Sequence, residues 1–433
     1  MVSTLPHLTT FDPTASSEGT IDPLGLYQIA DQLATKLVPA VRERMKRIRF
    51  LTAMAVGCFV TEGLETDEDQ PDCLPYLIWE WLVIEAMVRT YPNPDDLWAV
   101  PGSQVTKQAL ANHGYLDYRS YLKTPRIFGF HGVYKRLAIH LGLVDLHICL
   151  RPGGEILADS WARDLGYNDI DDAQKVLKKW RDAVQRGLAS KPCKTCPVWK
   201  ADDWSELAVA FFPNNTGRRE KKVLKKLLHK TDERALGALP AIWALQKDFV
   251  EEDYSEETLH TRLKQTLPSY CTLLKAIATY EDFSRGLQDA FDLILASGDS
   301  WDGRGLEVSS MANEAEFVSS LDRLDNRYEE TKHRLGEVDL QMAVLFDERF
   351  GRFAMPVNAE EAAKIICEHH EEIQKRKSAD GKRAWFDRLG PNHIYIRNQY
   401  RKSRREMMPD RYVHDYRGRP IRNFYFDLDG KKK

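Results

Sequence analysis

From Asp22 onward the apolar residues of this chain recur at intervals of three and four, the spacing that turns one face of an α-helix into a core. Leu26, Ile29, Ala30, Leu33 and Leu37 follow that rule. Residues 41–60 read as a second helix, with Arg42, Arg44, Lys46, Arg47 and Arg49 in its first half. Residues 76–91 (YLIWEWLVIEAMVRTY) are apolar almost throughout and predict a helix central to the N-terminal core. Further helices are expected at about 104–113, 130–141, 155–165, 171–187, 203–212, 217–230, 232–249, 256–280, 281–297, 314–335, 337–350 and 359–377. Alternating apolar and polar runs are sparse, so the fold class is mainly α and multi-helical. Residues 393–396 and 423–428 are β-prone, which gives the end of the chain a small α+β character.

A chain of 433 residues with ten Trp and seventeen Phe fills sizeable cores, at roughly 150 residues per domain. Residues 1–22 are rich in Thr, Ser and Pro and are expected to be disordered. A helical domain is expected over 23–190, a second over 191–380, and a basic aromatic segment over 381–433. The break around ASKPCKTCPVW, residues 189–199, sets the boundary between the two helical domains. No window reaches the roughly 18 uninterrupted apolar residues of a spanning helix. A basic stretch followed by an apolar one is missing at the N-terminus, which argues against secretion. Seven scattered Cys suggest reduced thiols and a cytoplasmic setting.

Charge is unevenly distributed. Residues 375–433 hold 18 Lys and Arg against 7 Asp and Glu, a net +11, so the other 374 residues carry −14 within the overall −3. An acidic body with a basic end points to an anionic partner, and nucleic acid, DNA in the first instance, is the commonest. Within that end, Arg397, Arg401, Lys402, Arg404, Arg405, Arg411, Arg417, Arg419 and Arg422 lie among Tyr395, Tyr400, Tyr412, Tyr416, Phe424 and Tyr425. Arginine beside aromatic rings suits phosphate neutralisation combined with base stacking. The competing reading docks the same segment on the acidic body. The two separate on whether the guanidinium groups are left free.

The order helix, loop, helix, short strand, Pro-Gly turn, helix over residues 104–165 matches a winged helix. Residues 104–113 and 130–141 would be its helices, 143–150 a wing strand and 151–154 the wing tip, with glycine supplying positive φ. Lys135, Arg136 and His140 would then face a groove, and Lys123, Arg126 and Arg151 would meet phosphates. The 114–129 connection is longer than the usual short turn.

Catalytic patterns fall short. Cys193 and Cys196 form half of a zinc spacing without a second pair. The adjacent His369 and His370 read as a polar helix surface. Neither a phosphate-binding Gly-rich loop with Lys-Ser/Thr nor a Gly-x-Ser-x-Gly elbow occurs. Gly19 to Gly25 (GTIDPLG) and Tyr121 to Tyr134 (YLKTPRIFGFHGVY) resemble segments of uncharacterised bacterial accessory proteins of phage-defence islands. That resemblance spans about the first 170 residues and implies a context without any catalytic residue. The sequence therefore predicts a non-enzymatic, nucleic-acid-binding accessory subunit of an antiviral complex, with protein partners, no membrane and no metal or other cofactor. The alternatives are a divergent metal-dependent nuclease centred on His393, Arg397 and His414, or a scaffold that binds no nucleic acid.

Overall fold

The computed structural model describes residues 22–93, 95–122, 128–249, 254–298, 305–354, 358–377, 381–403 and 412–430. It is mainly helical, 63% helix against 3% strand. None of the described helices is long and apolar enough to cross a membrane. The chain divides into two units, each assembled from separate stretches. The first comprises Ala34–Tyr254, Gln265–Leu267 and the described residues from Asp415. The second comprises the described residues up to Leu33, Ser255–Lys264 and Pro268–His414. The disorder expected for residues 1–22 lies almost wholly outside the described residues.

The first unit is built around α2 (Phe50–Thr61) and α3 (Pro75–Thr90). These follow α1 (Tyr27–Leu37), within which the division between the units falls. α2 buries every residue from Phe50 to Cys58, and α3 every residue from Leu77 to Met87. A helix apolar on all sides belongs in the middle of a domain. α4 (Ser103–His113), α5 (Phe130–His140), α6 (Pro152–Asp164), α7 (Gln174–Ala189), α8 (Ala201–Phe211), α9 (Arg218–Leu228) and α10 (Leu239–Leu245) complete the stretch before residue 254. Trp79, Trp161, Trp180 and Phe211, from α3, α6, α7 and α8, meet with centroids 5.4 to 6.0 Å apart. The indole of Trp79 donates to the Ala53 carbonyl at 2.9 Å. It lies so close to α2 that a Cβ on Gly57 would sit 2.4 Å from its Nε1.

Three expectations change here. Helix α2 starts at Phe50, and residues 42–49 are turns. The amides there are claimed from elsewhere: Arg47 N–H donates to the Tyr134 hydroxyl at 2.8 Å, and Ile48 N–H to Asp427 at 3.1 Å. In addition, the stretch expected to be a single wing strand folds back on itself. Residues 143–150 make one isolated antiparallel bridge, Val144 to Leu150, and Pro152 already begins α6. Gly153 and Gly154 are helical, and their need is closeness, since a Cβ on Gly154 would meet the Leu143 carbonyl at 2.4 Å. At the far end, α16 (Gly418–Leu428) occupies the stretch expected to be β-prone. Ile421, Phe424, Tyr425 and Leu428 are its buried face, a helical spacing that the density of aromatics disguised.

The second unit centres on the long pair α12 (Cys271–Ser297) and α13 (Ala315–Val338), with α14 (Leu340–Phe350) and α15 (Ala359–Lys375). α11 (Glu256–Thr266) precedes them, and the helical run breaks at Pro268, earlier than the expected break near 280. Phe283, Tyr328, Phe346 and Phe350 form its aromatic core. A three-stranded antiparallel sheet is ordered β1 (Leu306–Glu307), β3 (His393–Ile396), β2 (Phe386–Arg388). The histidine pair of α15 is buried, against expectation. His369 Nε2 lies 2.9 Å from the Leu24 carbonyl, and His370 Nδ1 lies 2.9 Å from the Pro23 carbonyl. His370 Nε2 accepts from Trp385 N–H at 3.0 Å. The partners of His370 require a neutral ring with its proton on Nδ1, and the Leu24 carbonyl requires the proton of His369 on Nε2. Burial holds His369 down to about 4 and His370 down to about 3.

Candidate nucleic-acid interface

The basic end supplies less free charge than its composition suggests. Arg397, 6% exposed, pairs with Asp387 at 3.1 Å. Lys402 pairs with Asp292 at 2.7 Å, and Arg388 holds Glu371 with two nitrogens at 2.8 and 2.9 Å. Arg401 lies over the Tyr395 ring, and Arg422 over Tyr254 and Phe426. Arg417 is buried with a left-handed backbone, its N–H donating to Asp415 at 2.7 Å. Arg419 reaches the same Asp415 at 3.9 Å. Arg404, Arg405 and Arg411 lie outside the described residues, as do Lys123 and Arg126. Arg383, Arg388, Arg397, Lys402 and Arg419 are thus paired with carboxylates of their own molecule, which reduces the support this segment lends to a free basic tail.

The winged-helix candidates are scattered in role. On α5, Arg136 is exposed, Lys135 is half-buried, and His140 Nε2 lies 3.3 Å from the Ala235 carbonyl. Arg151 is tied to Asp145 at 3.4 Å. The nuclease candidates are not gathered either. His414 Nδ1 sits 2.7 Å from Glu281, Arg397 is buried on Asp387, and His393 on β3 lies opposite Glu307 of β1. Among the described residues no three His, Cys, Asp or Glu side chains form a metal-binding group. Cys193 is bonded to Cys73, which corrects the expectation of reduced thiols throughout, and Cys196 Sγ lies 3.4 Å from the Arg186 carbonyl.

A free basic surface lies elsewhere, on residues 42–49. Val41, Met45 and Ile48 are buried and pin this turn segment. Its five cations sort into two sets. Arg47 pairs with Asp427 at 3.0 Å, and Arg49, 2% exposed, pairs with Glu220 at 3.2 Å and donates to the Phe212 carbonyl. Thr52 Oγ1 completes Glu220 at 2.6 Å. Even with Arg47 beside it, burial pushes the Asp427 carboxyl up to about 6. The other set points outward: Arg42, Arg44 and Lys46 are exposed and make no ion pair among the described residues. The Arg44 guanidinium lies 4.5 Å from the centre of the Phe128 ring, and Lys46 Nζ 5.5 Å from that of Trp98. These rings are themselves 40% and 57% exposed. The Arg49–Glu220 pair ties the segment to α9, whose outer side adds exposed Arg218, Lys222 and Lys226, also without ion pairs among the described residues.

Sequence reasoning placed Arg42 to Arg49 inside a helix and so missed this division of labour. The available signal was the placing of Arg42, Arg44 and Lys46 at every second position. No family model, curated protein or solved structure matches this chain.

Proposed function

We propose that the protein binds nucleic acid, without a catalytic centre of its own, through the surface formed by Arg42, Arg44, Lys46, Trp98 and Phe128. The observation that carries this is the pairing of carboxylate-free cations with solvent-exposed rings on a segment fixed from beneath. Cations alone steer any polyanion, while exposed aromatic rings give unpaired bases a stacking platform worth about 1–3 kcal/mol per base. Single-stranded ends or loops are thus the preferred form. The resemblance of residues 19–25 and 121–134 supports an accessory role in a bacterial antiviral assembly with protein partners. A cytoplasmic setting belongs to the same proposal, with the Cys73–Cys193 bond shielded there by burial at 3% and 1% exposure.

Fluorescence anisotropy with labelled single- and double-stranded oligonucleotides over a salt series tests this. The triple variant R42E/R44E/K46E is expected to lose at least about tenfold in affinity and to flatten the salt slope by roughly 2. Trp98→Ala should weaken single-stranded more than double-stranded binding. Salt-insensitive binding, or a triple variant that binds like the parent, overturns the proposal.

A further inference from the structure

The first unit carries a second basic region. It is a groove of about 360 Å³ between α7 and the extended chain that runs from Pro197 into the first turn of α8. Helix α7 is strongly amphipathic. Val176, Leu177, Trp180, Ala183 and Val184 are buried, which leaves Lys175, Lys178 and Arg186 outward along the groove.

The opposite wall is held in place before any ligand arrives. Cys193 is bonded to Cys73, and its N–H donates to Gln70 at 2.8 Å. Thr195 N–H donates to the Leu116 carbonyl at 2.8 Å, and Lys194 N–H to Ser190 at 3.0 Å. Beyond these anchors the chain presents Trp199, braced edge-on by Trp204 at 4.8 Å.

The groove's charges are not equivalent. Lys179 is already neutralised by Asp203 at 2.9 Å and by Glu206. Asp182 also lines the groove. Lys175, Lys178 and Arg186 have no carboxylate partner among the described residues. Three unneutralised cations beside one indole, in a pocket at the lower end of the size range of small-ligand sites, match a ligand with a compact polyanion at one end and a flat ring at the other.

We propose that this groove binds a nucleoside phosphate, with its phosphates on Lys175, Lys178 and Arg186 and its base against Trp199. The ligand is a free mononucleotide or the 5′-phosphorylated end of a strand, which share this chemistry. The groove is a site distinct in residues from the Arg42–Lys46 surface and does not rest on it.

Calorimetric titration of the full-length protein with ATP, with inorganic triphosphate and with a 5′-phosphorylated decanucleotide tests the assignment. ATP is expected to bind saturably and more tightly than triphosphate. K175E/K178E is expected to reduce ATP affinity at least tenfold, and Trp199→Ala to abolish the advantage of ATP over triphosphate. R42E/R44E/K46E should leave ATP binding unchanged, which separates failure here from failure of the nucleic-acid surface. If the decanucleotide binds in a K175E/K178E-sensitive way and ATP does not, the ligand is the strand end. No saturable binding of either, affinity unmoved by K175E/K178E, or equal binding of ATP and triphosphate overturns the proposal. Lys175, Lys178, Arg42, Arg44 and Lys46 are exposed and Trp199 is half-buried, and circular dichroism of each variant verifies its fold.

Discussion

Acid should loosen the second unit well before ordinary carboxylate titration does. Three of its histidines, His260, His369 and His370, are buried at 1% exposure or less, and burial holds them down to about 3, about 4 and about 3. In the unfolded chain each returns to about 6.5. Below that value the unfolded state binds protons that the native state refuses, so stability falls as pH falls. The loss begins near pH 6.5 and continues until the native rings themselves protonate. At pH 5 each ring costs about 2 kcal/mol relative to pH 7, or about 6 kcal/mol for the three, against a typical total of about 5–15 kcal/mol. Asp427 in the first unit runs the other way. Its native carboxyl, raised to about 6, takes up a proton before the unfolded one does, so that unit gains about 1 kcal/mol over the same interval. Urea unfolding from pH 7.5 to 4.5, followed by peptide-level hydrogen exchange, reads the two units separately. His370→Gln lowers stability at every pH but should remove one proton from the slope, about 2 kcal/mol of the difference between pH 7 and pH 5. A second unit that changes by less than about 2 kcal/mol over that range, or a His370→Gln profile parallel to the parent, would show that these rings do not stay neutral in the native state.

Gly57→Ala should cost about 3 kcal/mol, because the new methyl would lie 2.4 Å from Trp79 Nε1 and displace the indole from the Ala53 carbonyl; a lowered melting temperature with altered Trp fluorescence checks it. Arg49→Ala leaves Glu220 charged and buried at 0% exposure, and should cost about 3–5 kcal/mol in chemical denaturation, while a Lys222→Ala control on the surface of α9 should cost almost nothing. Cys73→Ser opens a loop of sequence separation 120 and should remove up to about 5 kcal/mol from the first unit, with reductant lowering the melting temperature of the parent and not of the variant.

What the sequence revealed depended on whether the determining contacts were local. α4, α5 and β3 lie within a residue or so of their expected ends, since apolar spacing and flanking glycines decide them. Residues 42–49 failed as a helix because their amides are claimed by Tyr134 and Asp427, 87 and 379 residues away. The His369–His370 pair looked like surface because its acceptors, the carbonyls of Leu24 and Pro23, stand about 350 positions earlier. The disulfide was hidden by a CxxC whose first cysteine bonds elsewhere. For the candidate site the gap was larger. Counting charges located the basic end, but only the fold shows that Arg397 and Lys402 are paired while Arg42, Arg44 and Lys46 have no ion pair among the described residues.

The anchoring of Arg47 and Ile48 on Asp427 has a temporal side. Synthesis proceeds from the N-terminus, so the ribosome releases the cationic turn hundreds of residues before the carboxylate that fastens it. Until α16 emerges and docks, Arg47 lacks that counterion, and the outward side chains lack the backing that aims them. A nascent chain would therefore attract polyanions loosely and without orientation, and the finished surface would appear only once translation has passed Asp427.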